Sequence, residues 1–432
     1  MSYQSSDIAN VSSEYSGILK MNGLSWKTDG YYLVCGDLME THSSRMYFSV
    51  VVSQIQTFLK AIIPVLSSYS VNFAVVKDER SATIILNGVA GHIHVGKVLI
   101  LTIDENHSAF LKIIAPILEK FDGPVIPGKT LLAKNIYMDD QNRTGTASKG
   151  GGFFVLGGKY IVTSSLKNDP KGEVLSGFYF SKFGIPRRCI VKEGKKFMIS
   201  DSSGRDMSDR LEWQKQVFER LSGTVRIPRV LDLFLEDGNS FLVMEKINGK
   251  AIGDVIEEIY GTGDWISLSN IKRISLIKRL ISVIDIVAKV HQNGLLHRDL
   301  SKANFLVDCR NNLYLIDWEL AFDIKAQYPL PPFGFGTPGF ISPEQNRGEV
   351  PTVKEDVFGL SALMMVFYTG QKPTDALKRN HNSIMEFIIL KTGEHGIAKL
   401  ITQGLDPCAA NRPDLADIRA CLSQSYLDYL NA

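Results

Sequence analysis

Metal-binding cysteine patterns are missing from this 432-residue sequence. Its five cysteines (Cys35, Cys189, Cys309, Cys408 and Cys421) are odd in number and widely scattered, with no Cys-x-x-Cys pair and no Cys/His cluster. That argues against a zinc module and for reduced thiols. No run of 18 apolar residues occurs, so no membrane span is expected. Residues 1–17 are polar and Ser-rich, without the apolar stretch of a secretory signal, so a cytoplasmic location is expected. Charge of one sign is not in excess. Forty-eight Lys and Arg against 46 Asp and Glu give +2, which supports neither nucleic acid nor an acidic membrane as a partner. Internal repeats and extended low-complexity segments are also absent. What remains is ordinary globular composition, 44% hydrophobic and 22% charged, in a chain long enough for two or three cores.

Apolar periodicity divides the chain. Tyr31–Val34, Met46–Val52, Val71–Val76 and Val98–Ile103 read as strands, and Ser53–Leu66 and Ser108–Phe121 carry helical spacing. This predicts a small α+β domain over 30–137, preceded by a flexible segment, 1–29. The polar and Gly-rich run around Asp139–Gly152 predicts a linker, 138–157. Strands are then expected at Tyr160–Thr163, Gly177–Phe180, Cys189–Lys192, Leu231–Leu235 and Ser240–Met244. A helix is expected at Asp209–Leu221, and helices dominate from Ile271. A sheet-rich part (158–246) is thus followed by a helical part (247–432).

Chemistry concentrates in His297–Arg298–Asp299–Leu300–Ser301–Lys302–Ala303–Asn304, followed by the apolar Phe305–Val307 and, 13 residues after Asn304, by Asp317. Asp299 can orient and deprotonate a hydroxyl. Asn304 and Asp317 supply hard oxygen ligands suited to Mg²⁺ on nucleotide phosphates. Downstream lie Gly336–Thr337–Pro338–Gly339–Phe340–Ile341–Ser342–Pro343–Glu344, then Asp356 in Glu355–Asp356–Val357–Phe358–Gly359, then Asn411–Arg412–Pro413.

On these motifs residues 158–430 resemble the protein kinase superfamily. The resemblance implies a bilobal fold, with ATP or GTP and Mg²⁺ as cofactors. Lys192 would hold the α- and β-phosphates and Asp299 would be the catalytic base. Asn304 and Asp317 would bind the metal, Met244 would be the gatekeeper and Glu245 would begin the adenine hinge. Glu344 would pair with Arg412, Asp356 would cap the catalytic loop, and Arg298 would brace the activation segment. Departures are present. Asp169–Pro170–Lys171–Gly172–Glu173–Val174 leaves Gly172 where a full Gly-rich loop is expected. Gln214 occupies the helix-C glutamate position, with Glu212 on another face. Ser301 stands two residues after the base, and Trp318–Glu319 replaces Phe-Gly.

The whole chain, in order, resembles the front of class III/IV lanthipeptide synthetases, which join a phosphoserine/phosphothreonine lyase, a kinase and a cyclase. The matching stretches are Arg45–Ser49, Val71–Ala74, Leu86–Asn87, Gly96–Leu99, Arg210–Leu211 and Ile227–Val230. The lyase pattern requires Lys-x-His, a Lys, and an Arg before Gly-Lys. Here those positions read Arg45-x-Tyr47, Ala74 and His92, and Lys97 is kept, with Lys77 nearby. Alanine abstracts no proton, and tyrosine, with a pKa near ~10, is a poor acid. His92 and His94 alternate, which on a strand would put both on one face, with no third metal ligand evident. The resemblance therefore implies a Ser/Thr kinase acting on a ribosomally made precursor peptide. Its degenerate lyase domain would bind that peptide, and separate lyase and cyclase proteins would complete the work. The alternatives are a pseudokinase scaffold presenting a leader peptide, or a regulatory kinase.

Overall fold

Two runs of strand pairing organise the first half of the chain and helices organise the second. The computed structural model describes residues 14–38, 44–69, 71–103, 107–139, 153–378 and 381–431. The first sheet contains β1 (Lys27–Asp29), β2 (Tyr32–Cys35), β3 (Ser44–Phe48), β4 (Phe73–Val76), β5 (Leu99–Ile103), β6 (Lys129–Ala133) and β7 (Ile136–Asp139) in the spatial order β1-β2-β4-β5-β3-β7-β6. Alternation on β3 sends Met46 and Phe48 to one face. There they join a core that includes α1 (Glu14–Met21), α2 (Ile55–Tyr69), α3 (Glu79–Leu86) and α4 (His107–Leu118). Tyr47 points to the other face, with Tyr137 and Ile126.

Three expectations change here. Residues 14–29 are not a flexible segment: α1 buries Tyr15, Ile18 and Leu19, and β1 pairs with β2. Residues 1–13 lie outside the described residues. The strand expected over Met46–Val52 stops at Phe48. From there Ser49 and Val51 donate their N–H groups to the loop carbonyls of Asn135 and Asp122. The linker expected over 138–157 is strand at both described ends, because Met138–Asp139 pair with Lys129–Thr130 and Phe154–Leu156 pair with Tyr160–Val162. Residues 140–152 lie outside the described residues.

The second sheet contains β8 (Phe154–Leu156), β9 (Tyr160–Asp169), β10 (Gly172–Phe180), β11 (Pro186–Gly194), β12 (Val230–Glu236) and β13 (Asn239–Glu245), ordered β12-β13-β11-β10-β9-β8. Between β11 and β12 lies α5 (Met207–Leu221). The strands run longer than apolar content predicts, because backbone pairing continues through Ser164–Asp169 and Gly172–Ser176.

The remainder begins with β14 (Gly249–Ala251), α6 (Ile252–Tyr260), α7 (Asn270–Gln292), β15 (Leu295–Leu296), β16 (Phe305–Asp308), β17 (Leu313–Leu315) and β18 (Phe322–Asp323). It ends with α8 (Pro343–Arg347), α9 (Val353–Thr369), α10 (Pro373–Ala376), α11 (His381–Thr392), α12 (His395–Gly404) and α13 (Leu415–Asn431). On α7 the buried residues Leu276, Ile277, Leu280, Val283, Ile284, Val287 and Val290 recur at helical spacing. Every residue of α9 from Glu355 to Thr369 is buried. Contacts divide the chain into one unit of Met1–Leu211 with Asp232–Val243 and another of Glu212–Leu231 with Met244–Ala432. Among the described residues no helix is long and apolar enough to cross a membrane.

Candidate active site

The catalytic loop is built backward from α9. Asp356, in the first turn of that helix, is 1% exposed. Its carboxylate accepts the backbone N–H of His297 at 3.0 Å and of Arg298 at 2.7 Å, and meets His291 Nε2 at 2.9 Å. Burial opposes the charge, but the hydrogen bonds from His291 and the His297 backbone outweigh it and hold the carboxyl below the ordinary range. Two fixed N–H groups on one carboxylate pin the chain where Arg298 takes φ +67°. His297 Nε2 meets the Ile316 carbonyl at 3.0 Å, and its ring abuts Trp318 at 4.6 Å.

Asp299 is half-buried, and both its oxygens are engaged. Oδ1 accepts the Thr337 N–H at 2.9 Å and Oδ2 accepts Asn304 Nδ2 at 2.9 Å. Asn304 Nδ2 also donates to the Asp299 carbonyl at 2.8 Å. With its nitrogen turned to Asp299, the Asn304 amide presents its oxygen as the cation donor. The Ile316 N–H donates to the Asn304 carbonyl at 2.9 Å, which brings Asp317 (φ +65°) beside Asn304. One carboxylate and one amide oxygen, both hard donors, suit Mg²⁺. Among the described residues no group of three or more His, Cys, Asp or Glu could hold a metal.

Glu344 and Arg412 form the expected pair. Nη1 donates to Oε1 and Nη2 to Oε2, the latter at 2.9 Å, with the arginine side chain fully buried. Lys302 turns from the catalytic loop to Glu257 at 2.7 Å. Ser301, two residues after Asp299, is buried, and among the described residues its Oγ has no partner. Gln214 and Met244 come together, Nε2 lying 4.0 Å from Sδ. The Glu245 N–H donates to the Arg229 carbonyl at 2.9 Å. Three positioning groups were missed in the sequence: the Thr337 N–H, Gln345, whose Nε2 donates to the Arg298 carbonyl at 2.9 Å, and Glu355, which pairs with Arg298. Only the closeness of 337–345 to the Gly-Thr-Pro-Gly run hinted at the first two.

In the other unit Lys192 is 7% exposed on β11, in register with Val174 of β10. The β9–β10 turn is tight, with Gly172 opposite Asp169. Gly172 has φ +147°, and a Cβ there would lie 2.1 Å from the Glu193 carbonyl oxygen, so the turn closes against β11 only with glycine. Glu173 N–H is held by Glu193 Oε2 at 3.0 Å, and Lys195 N–H by the Lys171 carbonyl at 2.9 Å. Pro170 has no N–H, so this hairpin offers fewer backbone donors than a Gly-rich loop.

The same unit holds a second polar cluster, on the outer face of the first sheet. Tyr47 Oη donates to Asp139, 3.0 Å from Oδ2. Lys97 Nζ lies 4.4 Å and Lys129 Nζ 4.8 Å from the Tyr47 ring centre, and Lys129 pairs with Asp139. Burial first, then Lys129 and Arg45, pull the Lys97 ammonium down to about 8. Lys129 and Asp139 were not anticipated, although they are register partners on β6 and β7. His92 and His94 sit on a 3-10 turn, not a strand, so alternation does not align them. Lys77 is half-buried and bonds the Gly30 carbonyl at 2.9 Å.

Comparison with known proteins agrees with this geometry. The family model "Protein kinase domain" matches residues 189–422, more than half of the chain. The chain is similar to serine/threonine-protein kinase B of Synechocystis sp., 24% identical over 51% of this chain and 38% of that protein. It is also similar to serine/threonine-protein kinase PrkC of Bacillus subtilis, 29% identical over 34% of this chain and 22% of that protein. A probable serine/threonine-protein kinase PknB of Lactococcus lactis is 28% identical over 36% of this chain and 24% of that protein. The chain thus spans well under half the length of these curated relatives. Protein kinase domains in general use ATP and Mg²⁺, and the Asn304 and Asp317 oxygens fit that metal. The chain belongs to the protein kinase family, with residues 189–422 forming a protein kinase domain similar to those of serine/threonine-protein kinases.

Proposed function

We propose that this chain phosphorylates Ser and Thr hydroxyls of a ribosomally synthesised precursor peptide, as one step of dehydroamino-acid installation in lanthipeptide-like biosynthesis. The observation that carries the phosphotransfer is the set around Asp299, with one oxygen on the Thr337 N–H and the other on Asn304. A carboxylate held at two points is pre-aimed and loses little entropy when an acceptor hydroxyl arrives. The hydroxyl oxygen attacks the γ-phosphorus, the bond to the β–γ bridging oxygen breaks, and the hydroxyl proton passes to Asp299. Lys192 would contact the α- and β-phosphates, and the Met244–Glu245 segment would receive the base. Gly172 would contribute to nucleotide binding. Asn304 and Asp317 would hold Mg²⁺, which neutralises charge on the moving phosphoryl group.

Precursor peptide as acceptor rests on the order of matching stretches along the whole chain, from Arg45–Ser49 to Ile227–Val230. The first domain would retain a lyase-like framework without elimination. Its Tyr47 hydroxyl is bonded to Asp139 and a strand alanine, Ala74, replaces a lysine. A separate lyase and cyclase would then complete the product. The scaffold reading draws on the hairpin, where Pro170 and the engaged Glu173 N–H leave a thin phosphate cradle.

The test is incubation with γ-labelled ATP or GTP and a synthetic Ser/Thr/Cys-rich precursor peptide, read by mass spectrometry. Phosphorylated, non-dehydrated peptide is expected. Dehydrated product from this chain alone contradicts the loss of elimination. No transfer to that peptide, with transfer to folded proteins, contradicts the choice of acceptor.

A further inference from the structure

The segment after Asp317 is anchored by Arg298, α5 and α8. Arg298 is 2% exposed. Its Nε donates to Glu355 Oε2 at 2.7 Å, and both side chains are fully buried. Nη1 of the same guanidinium donates to the carbonyls of Leu320 at 3.2 Å and Phe333 at 2.9 Å, the two ends of the segment. Further ties come from α5 and α8. Trp213 Nε1 donates to the Ala321 carbonyl at 2.7 Å, Arg220 pairs with Asp323, and Gln345 Nε2 donates to the Phe335 carbonyl at 3.3 Å. From Trp318 to Gly336 the sequence contains no Ser or Thr, and Tyr328 is its one hydroxyl-bearing residue.

A buried guanidinium requires a counter-charge. A phosphate on a nearby hydroxyl is one way to supply it, because phosphate orders a segment by pairing with arginine. In this chain a carboxyl partner already lies there, on the rigid helix α9 one residue before Asp356; burial pushes it up to about 7 while Arg298 pulls it down. A second anion approaching Arg298 would compete with Glu355 for the guanidinium and meet the charge of Asp356, which accepts the Arg298 backbone N–H, in a setting where burial strengthens the repulsion.

We propose that Glu355 is a positioning residue for phosphoryl transfer, a built-in carboxyl partner that holds Arg298 and through it residues 320–333, so that the segment is ordered without phosphorylation. This rests on the kinase reading above. It makes the enzyme active as synthesised, with its regulation, where present, located outside this segment.

Two measurements on the full chain test it. The first compares protein made with a co-expressed phosphatase, shown phosphate-free by intact mass, with protein preincubated with ATP and Mg²⁺. Equal kcat within about two-fold and no lag are expected, while a lag or a ten-fold deficit in the phosphate-free protein overturns the proposal. The second is hydrogen exchange over 320–335 in phosphate-free wild type, E355Q and E355D. Protection is expected in wild type and should be lost in E355Q. With it kcat should fall at least ten-fold, nucleotide KM should stay within about three-fold, and E355D should partly restore both. Unprotected wild type, or E355Q with unchanged exchange and kcat, overturns it. Exchange needs no turnover, so failure of the kinase reading leaves a protected but inactive wild type, distinct from failure of the anchor.

Discussion

Replacing Arg412 with Met should strand a buried carboxylate. Glu344 is 6% exposed, and its two oxygens face the two Nη groups of Arg412. The arginine also donates to the carbonyls of Asp406 at 2.9 Å and Lys354 at 2.8 Å and lies 5.0 Å from the Phe358 ring. One side chain therefore ties α8, α9 and the 406–412 loop together. Methionine keeps much of the volume but none of the donors. The expected loss is about 3–5 kcal/mol, the range for one partner removed from a buried pair. In a unit of this size that is roughly 6–20 °C in melting temperature. Urea unfolding followed by the fluorescence of the buried Trp265 and Trp318 would report on this unit. The double variant E344Q/R412M removes the stranded charge and should recover about 1–3 kcal/mol of the loss. Burial opposes the Glu344 charge, but Arg412 holds its carboxyl below the ordinary glutamate range. Its contribution is thus present above that range and lost as pH falls through it, and R412M should flatten that acid limb. A single variant within about 1 kcal/mol of wild type, or a double variant no better than the single, refutes the reasoning.

Two more outcomes are expected. Gly172→Ala places a Cβ 2.1 Å from the Glu193 carbonyl oxygen, so it should open the β9–β10 turn and raise nucleotide KM more than it lowers kcat. Unchanged KM with unaltered hydrogen exchange at 169–173 would contradict that. Lys97 should titrate near 8 by NMR of its side-chain amine, against ~10.4 for ordinary lysines, and lower still in D139N. Because this cation is disfavoured in the fold, its penalty is full below pH 8 and is relieved as pH rises toward the ordinary lysine value. Stability should therefore increase over that interval in wild type and not in K97M.

The cluster around Asp299 was legible in the sequence because its residues are local. Asp299, Asn304 and Asp317 fall within 19 positions, and turn and strand signals placed them on a loop beside an apolar run. Long-range partners were legible only where a motif announced them, as with Glu344 and Arg412. Glu355 carried no such signal, since a glutamate in the first turn of a helix reads as a favourable dipole contact until its burial is known. The outer face of the first sheet was hidden for another reason. Lys129 and Asp139 meet through the register of a hairpin with a bulge between Leu131 and Ala133, and bulges are not visible in apolar periodicity. α1 escaped because eight residues of mixed polarity give little helical pattern. Its packing against α2, not its propensity, forms it.

In the proposed reaction Asp299 takes the proton from an acceptor hydroxyl while the γ-phosphoryl group moves. The direct measurement is single-turnover transfer from γ-labelled nucleotide to a Ser/Thr peptide by wild type and D299N, with nucleotide affinity measured in parallel. The account predicts transfer by wild type, a rate lower by about 10²- to 10⁴-fold in D299N, and unchanged nucleotide affinity. Transfer by D299N at the wild-type rate would contradict it.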